Sequence, residues 1–133
     1  MLGCGGSDDA SSEPLTKRAF LKQGNSICEK GVKEKDKLFE ASFKEISAGG
    51  KEPAKKDVEQ LVLDILPPIQ KTTEQLAELS PPEKDEGKVS ALIEGYEEAV
   101  QEAEEDPGSA LSANFMKAPN EAAQTYGFTS CAL

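Results

Sequence analysis

From Phe20 onward, apolar or small residues return every three or four positions: Phe20, Gly24, Ile27, Cys28, Gly31, Val32, Leu38, Phe39, Phe43 and Ile46. That spacing is helical, and lysines crowd the opposite face. The pattern predicts a first helix over Thr16 to Ile46. Thr16 is a good N-cap, and Leu15 before it can staple onto Phe20. The run SAGGKEP ends the helix at residues 47–53.

A second stripe begins near Pro53 or Ala54 and runs Val58, Leu61, Val62, Ile65, Ile69, Thr73, Leu76, Leu79. Pro67 and Pro68 interrupt it. Prolines inside a helix remove backbone donors and crowd the preceding turn, which predicts a kink or a break. The apolar phase carries across them, so one bent helix is expected. Ser80-Pro81-Pro82-Glu83 reads as a capping box with proline in the first turn. It opens a third helix whose inner face is Val89, Leu92, Ile93, Tyr96, Val100 and Ala103. EEDPG closes that helix at residues 104–108. A fourth is expected from Ser109 to Tyr126, with Leu111, Phe115, Ala118, Ala122 and Tyr126 inward and Pro119 as a flaw. Gly127 suits a left-handed C-cap, and Phe128 can fold back onto the last turn.

Four helices with short connections bury their stripes by packing antiparallel. The expected fold is therefore all-α, an up-down four-helix bundle with a kinked second helix. At 133 residues the chain has room for one such domain, placed at 16–133 and preceded by residues 1–15 as a flexible tether. In an up-down bundle the start of the first helix and the end of the fourth share one end. Cys28 lies about three turns into the first helix, and the tail after Gly127 can run back beside it. Cys28 and Cys131 can then close the bundle with a disulfide, which implies an oxidising compartment. The alternative is a small buried residue at Cys28 and a frayed thiol at Cys131.

Charge narrows the function classes. The net charge is −10, which repels phosphate backbones and argues against nucleic acid as a partner. Residues 16–56 carry eleven basic and six acidic residues, and residues 57–133 carry four and sixteen. The basic first third can therefore lie against the acidic remainder; a basic face held open for a partner is the sharper reading. The chain has no histidine. That removes Ser-His-Asp and Cys-His catalysis, Cys/His zinc sites and imidazole pH switches. Glu102, Glu104, Glu105 and Asp106 lack the alternating ligands and central glycine of a calcium loop and read as a solvated helix end. The remaining acids fall on polar faces, where nothing separates their pKa values for acid/base work. No enzyme activity, cofactor or metal is expected.

Gly24 and Gly31 share a face of the first helix. Glycine there costs about 1 kcal/mol against alanine, which close approach of another helix would offset. A groove for an apolar ligand, with Tyr96 or Tyr126 at its rim, is the sharper reading.

The start of the chain, MLGCGGSDDASSEP, resembles the cleavage site of a bacterial lipoprotein. A small residue precedes Cys4, which would be lipidated and become the mature N-terminus. The Gly/Ser/Asp stretch behind it reads as a tether whose ten or so residues reach about 17–19 Å. No basic or long apolar segment precedes Cys4, so the export signal is expected upstream of this chain. The resemblance continues through the Lys17-x-x-Phe20 and Ile27-Cys28 of LTKRAFLKQGNSIC, through ILPPIQKTTEQLAELSPP, and through the terminal YGFTSC. Together these motifs resemble the small secreted helical lipoproteins of unknown function common in actinobacteria. The resemblance implies an exported bundle with a Cys28–Cys131 bond, a membrane partner through the lipid on Cys4, and no activity. The expected role is thus a lipid-anchored binding or structural module of the cell envelope. Two alternatives stand beside it: a carrier of a small apolar ligand in the bundle interior, and a cytoplasmic acidic interaction subunit.

Overall fold

A computed structural model describes residues 13–50 and 52–133, so Cys4 and its tether lie outside the described residues. The described residues form five α-helices and one short 3₁₀ turn. The helices are α1 (Lys17–Ile46), α2 (Lys55–Glu78), α3 (Glu86–Glu105), α4 (Pro107–Ala113) and α5 (Lys117–Tyr126), with the 3₁₀ turn at Glu83–Asp85. No helix among them is long and apolar enough to cross a membrane.

Local chemistry accounts for the ends. The Thr16 hydroxyl accepts the Ala19 backbone N–H at 3.1 Å, satisfying one of the first-turn donors. Leu15 packs against the core cluster that holds Phe20, and its N–H donates to the Ser80 carbonyl at 3.0 Å. At the other end of α1 the Ser47 hydroxyl donates to the Phe43 carbonyl at 2.6 Å. Helix α5 finishes in a Schellman motif: Phe128 N–H reaches Ala123 at 2.9 Å and Gly127 N–H reaches Gln124 at 3.1 Å. Gly127 sits at φ 128°, a region that side chains disfavour.

Helix α2 is the hub, touching α1, α3 and α4. It runs from Lys55 to Glu78 with Pro67 and Pro68 inside it, so the prolines do not break it. Its expected stripe is buried from Leu61 to Leu76. Thr72 and Thr73 are buried as well, and their hydroxyls donate to the Pro68 and Ile69 carbonyls at 2.7 and 2.9 Å. Burying those two hydroxyls therefore leaves no polar group unpaired. The α3 face is buried as its period predicts, from Val89 to Ala103.

The capping box at Ser80–Glu83 does not open α3. Glu83 falls in the 3₁₀ turn and α3 starts at Glu86. Asp85 occupies the N-cap position, yet its side chain caps nothing, because the carboxylate is engaged elsewhere.

The expected fourth helix is two helices. Asn114 stands between α4 and α5 in the left-handed conformation, φ 51° and ψ 61°. Asparagine tolerates that region better than most residues. The break resets the helical phase, so the inner face differs from the expected one. Ala110, Met116, Pro119 and Ala123 are buried, while Leu111 is 37% exposed and Ala118 and Ala122 face solvent. Phe115 and Tyr126 keep partial burial. Pro119 falls in the first turn of α5, where a missing N–H costs nothing.

Gly24 and Gly31 admit no groove. A Cβ on Gly31 would lie within 3 Å of the Thr72 side chain, and one on Gly24 within 3 Å of the Phe128 ring. One glycine lets α2 close on α1, and the other seats the returning tail.

Candidate functional site

Cys28 and Cys131 are joined by a disulfide, with Cα atoms 4.9 Å apart across 103 residues of sequence. Both cysteines are fully buried. The bond is one of several ties on the tail. Asn25 accepts the Ser130 N–H at 2.9 Å and donates its amide to the Gly127 carbonyl at 3.3 Å. Asn120 brackets Leu133, accepting its N–H at 3.0 Å and donating to its carbonyl at 3.2 Å. The same Asn120 oxygen accepts the Tyr96 hydroxyl at 2.8 Å. Phe128 and Leu133 are buried between these ties. Tyr96 is held by Asn120, and burial pushes its pKa well above the usual tyrosine value.

Asp85 is 7% exposed and is, among the described residues, the carboxylate most enclosed by the fold. Tyr126 of α5 donates its hydroxyl to Asp85 at 2.9 Å. Lys17, the first residue of α1, reaches the same carboxylate oxygen at 3.3 Å. The Lys17 ammonium also stands 3.6 Å from the centre of the Tyr126 ring, a cation–π distance. The hydrogen bond from Tyr126 is the largest influence holding Asp85 below the usual carboxylate range, with Lys17 adding to it against the cost of burial. Burial, then the hydrogen bond to Asp85 and its charge, push Tyr126 well above its ordinary value. The cluster ties the start of α1, the entrance to α3 and the end of α5. Both tyrosine hydroxyls already donate to protein acceptors, so neither has a proton left to give a ligand.

Beside this cluster runs a groove between α3 and α5. Its main chamber, about 740 Å³, is lined by Lys17, Lys88 and Tyr126 at one end and by Ala91, Leu92 and Ala122 along the floor. A second chamber of about 290 Å³ shares Ala91, Leu92, Ala118 and Ala122 and continues past Gly95 and Ala99 to Glu98 and Glu102. The groove exists because Ala118 and Ala122, assigned by period to the core, face outward after the reset at Asn114. Sequence reasoning missed it, along with the roles of Asp85, Lys17 and Lys88. The sequence carried no signal for it, because Ala118 and Ala122 fit the core period of an unbroken fourth helix.

The charge segregation of the chain is not resolved by ion pairs. Among the described residues, Lys17 is the one cation of the basic first third that reaches an acid of the remainder. Lys33 pairs with Glu29 and Lys35 with Asp36 on the same helix. The one other inter-helix pair is Lys71 with Glu34, at 3.7 Å. No group of three or more His, Cys, Asp or Glu residues among the described residues is placed to hold a metal.

No protein-family model matches the chain, and no curated protein or solved structure matches it either. The site is therefore read from its own geometry.

Proposed function

We propose that this protein is a lipid-anchored, extracytoplasmic helical module of the cell envelope, tethered through Cys4 and acting by binding rather than by catalysis. The buried Cys28–Cys131 disulfide supports the compartment, because such bonds persist outside the reducing cytosol. In this reading α4 and α5 together take the place of the fourth arm of an up-down bundle, and Pro67-Pro68 bends α2. Lys17 begins α1 thirteen residues after Cys4, so in this reading the tether enters the domain at its Lys17–Tyr126–Asp85 end.

The test is the intact mass of the protein isolated from its native host without reductant. A chain beginning at Cys4, carrying acyl groups and lacking two thiol hydrogens, is the expected result. An unmodified chain starting at Met1 with three free thiols overturns the proposal and makes the protein a cytoplasmic acidic subunit.

A further inference from the structure

The groove between α3 and α5 carries opposite charges at its two ends. Its floor is apolar, with alanine and glycine supplying most of it. Lys17 and Lys88 stand at one end, and Glu98 and Glu102 at the other. Lys17 spends one N–H on Asp85 and its side chain is 45% exposed, which leaves donors for a second acceptor. Lys88 makes no ion pair among the described residues, although its charge acts on Asp85.

Length points the same way. From Lys88 to Glu102 the groove follows α3 for about 21 Å at 1.5 Å per residue. The floor from Ala91 to Ala99 takes about 12 Å of that, close to the roughly 15 Å of hydrocarbon in one bilayer leaflet, so a single acyl chain with a few bends lies along it. Volume and lining are those of a small-molecule site, a few hundred cubic ångströms of mainly apolar wall with a few polar groups at its ends.

We propose that this groove binds a long-chain carboxylic acid, its tail along the Ala91–Ala99 floor and its carboxylate against Lys17 and Lys88. The inference rests on the envelope-binding reading and names its ligand class. The chain's net charge of −10 opposes an anion at long range. Screening confines that opposition to about 8 Å at physiological ionic strength, so the two lysines govern the head position. Asp85, 3.3 Å from the Lys17 ammonium, and Glu121, on the wall of the same chamber, are the unfavourable charges beside that position. A cationic amphiphile would prefer the Glu98/Glu102 end, and a neutral one gains nothing from either end.

The experiment titrates palmitate carrying a ¹³C carboxyl into the oxidised full chain below the micelle concentration, following the ¹³C shift and the alanine methyl resonances. Hexadecanol and dodecyltrimethylammonium serve as controls. Saturable binding at one site is expected, with shifts at Ala91, Ala118 and Ala122 and weaker binding of both controls. Lys88→Glu should weaken palmitate about tenfold, and Glu121→Gln should tighten it about twofold. Ala122→Trp, at an exposed position, should abolish binding while leaving the far-UV spectrum unchanged. No saturation, equal binding of hexadecanol, or binding indifferent to Lys88→Glu and Ala122→Trp overturns the proposal. The native mass of the protein is read separately, so an anchored chain that binds no palmitate fails this inference while the envelope reading stands.

Discussion

The two halves of α1 have the same hydrophobic period and opposite fates. In the first half Phe20, Gly24, Cys28 and Gly31 are buried. In the second, Leu38 is 41% and Phe43 48% exposed. The first half meets the returning tail, the aromatic group of Phe20, Tyr126 and Phe128, and the face of α2 around Thr72. Near the second half lie the start of α2 and the edge of α4, where Leu63 and Leu111 are also exposed. Phe39 and Phe43 stack on each other, ring centres 6.0 Å apart, rather than entering a core. Apolar periodicity states what a helix can bury; a second surface decides whether it does.

The largest test of that contrast removes the bond that recruits the second surface. Cys28→Ala with Cys131→Ala should lower stability in urea by about 4–5 kcal/mol, the chain-entropy figure for a loop near 100 residues. An unchanged midpoint would mean that the hydrogen bonds from Asn25 and Asn120 hold the tail alone. Truncating one aromatic in each half comes next. Phe20→Ala should cost about 3–5 kcal/mol and Phe43→Ala about 0.5 kcal/mol, both by denaturation. Equal losses would erase the distinction between the halves.

Glycines sharpen the same point at smaller scale. Gly31→Ala forces a Cβ onto Thr72 and should cost about 1–3 kcal/mol in spite of its better helix propensity. Gly49→Ala, where a Cβ meets nothing, should be near neutral. Stability against pH probes the Lys17–Tyr126–Asp85 tie. Asp85 is depressed in the folded state, so its contribution is present above the unfolded value of about 3.9 and fades as pH falls through the lower folded value. Tyr126 is raised, so its contribution is complete below about 10 and fades as pH rises beyond it. Tyr126→Phe should shrink both limbs, with buried Tyr96 still contributing to the alkaline one. An unaltered profile would show that the cluster is energetically silent.

Much of the fold was legible. The stripes of α2 and α3, the Thr16 cap, the Gly127 terminus and the Cys28–Cys131 bond are local or topological signals, and each is present. Three things were not. The break at Asn114 depends on one left-handed residue, which asparagine permits without announcing. The box at Ser80–Glu83 was a sound local pattern, but the chain forms a 3₁₀ turn there and sends Asp85 to Tyr126 and Lys17. The groove followed from the first of these errors, because a one-residue change of phase turns Ala118 and Ala122 from core to surface.

The amino-acid sequence alone determined that this protein is helical, where most helices begin and end, which stripes seek cover, and that two distant cysteines can meet. Those properties rest on period, caps and composition, which act within a few residues or through chain reversal. Tertiary structure alone decided which half of α1 is covered, where the one enclosed carboxylate goes, and that the outer faces of α3 and α5 form a groove with lysines at one end. Each of those depends on surfaces brought together from positions up to a hundred residues apart, and no local pattern encodes their fit.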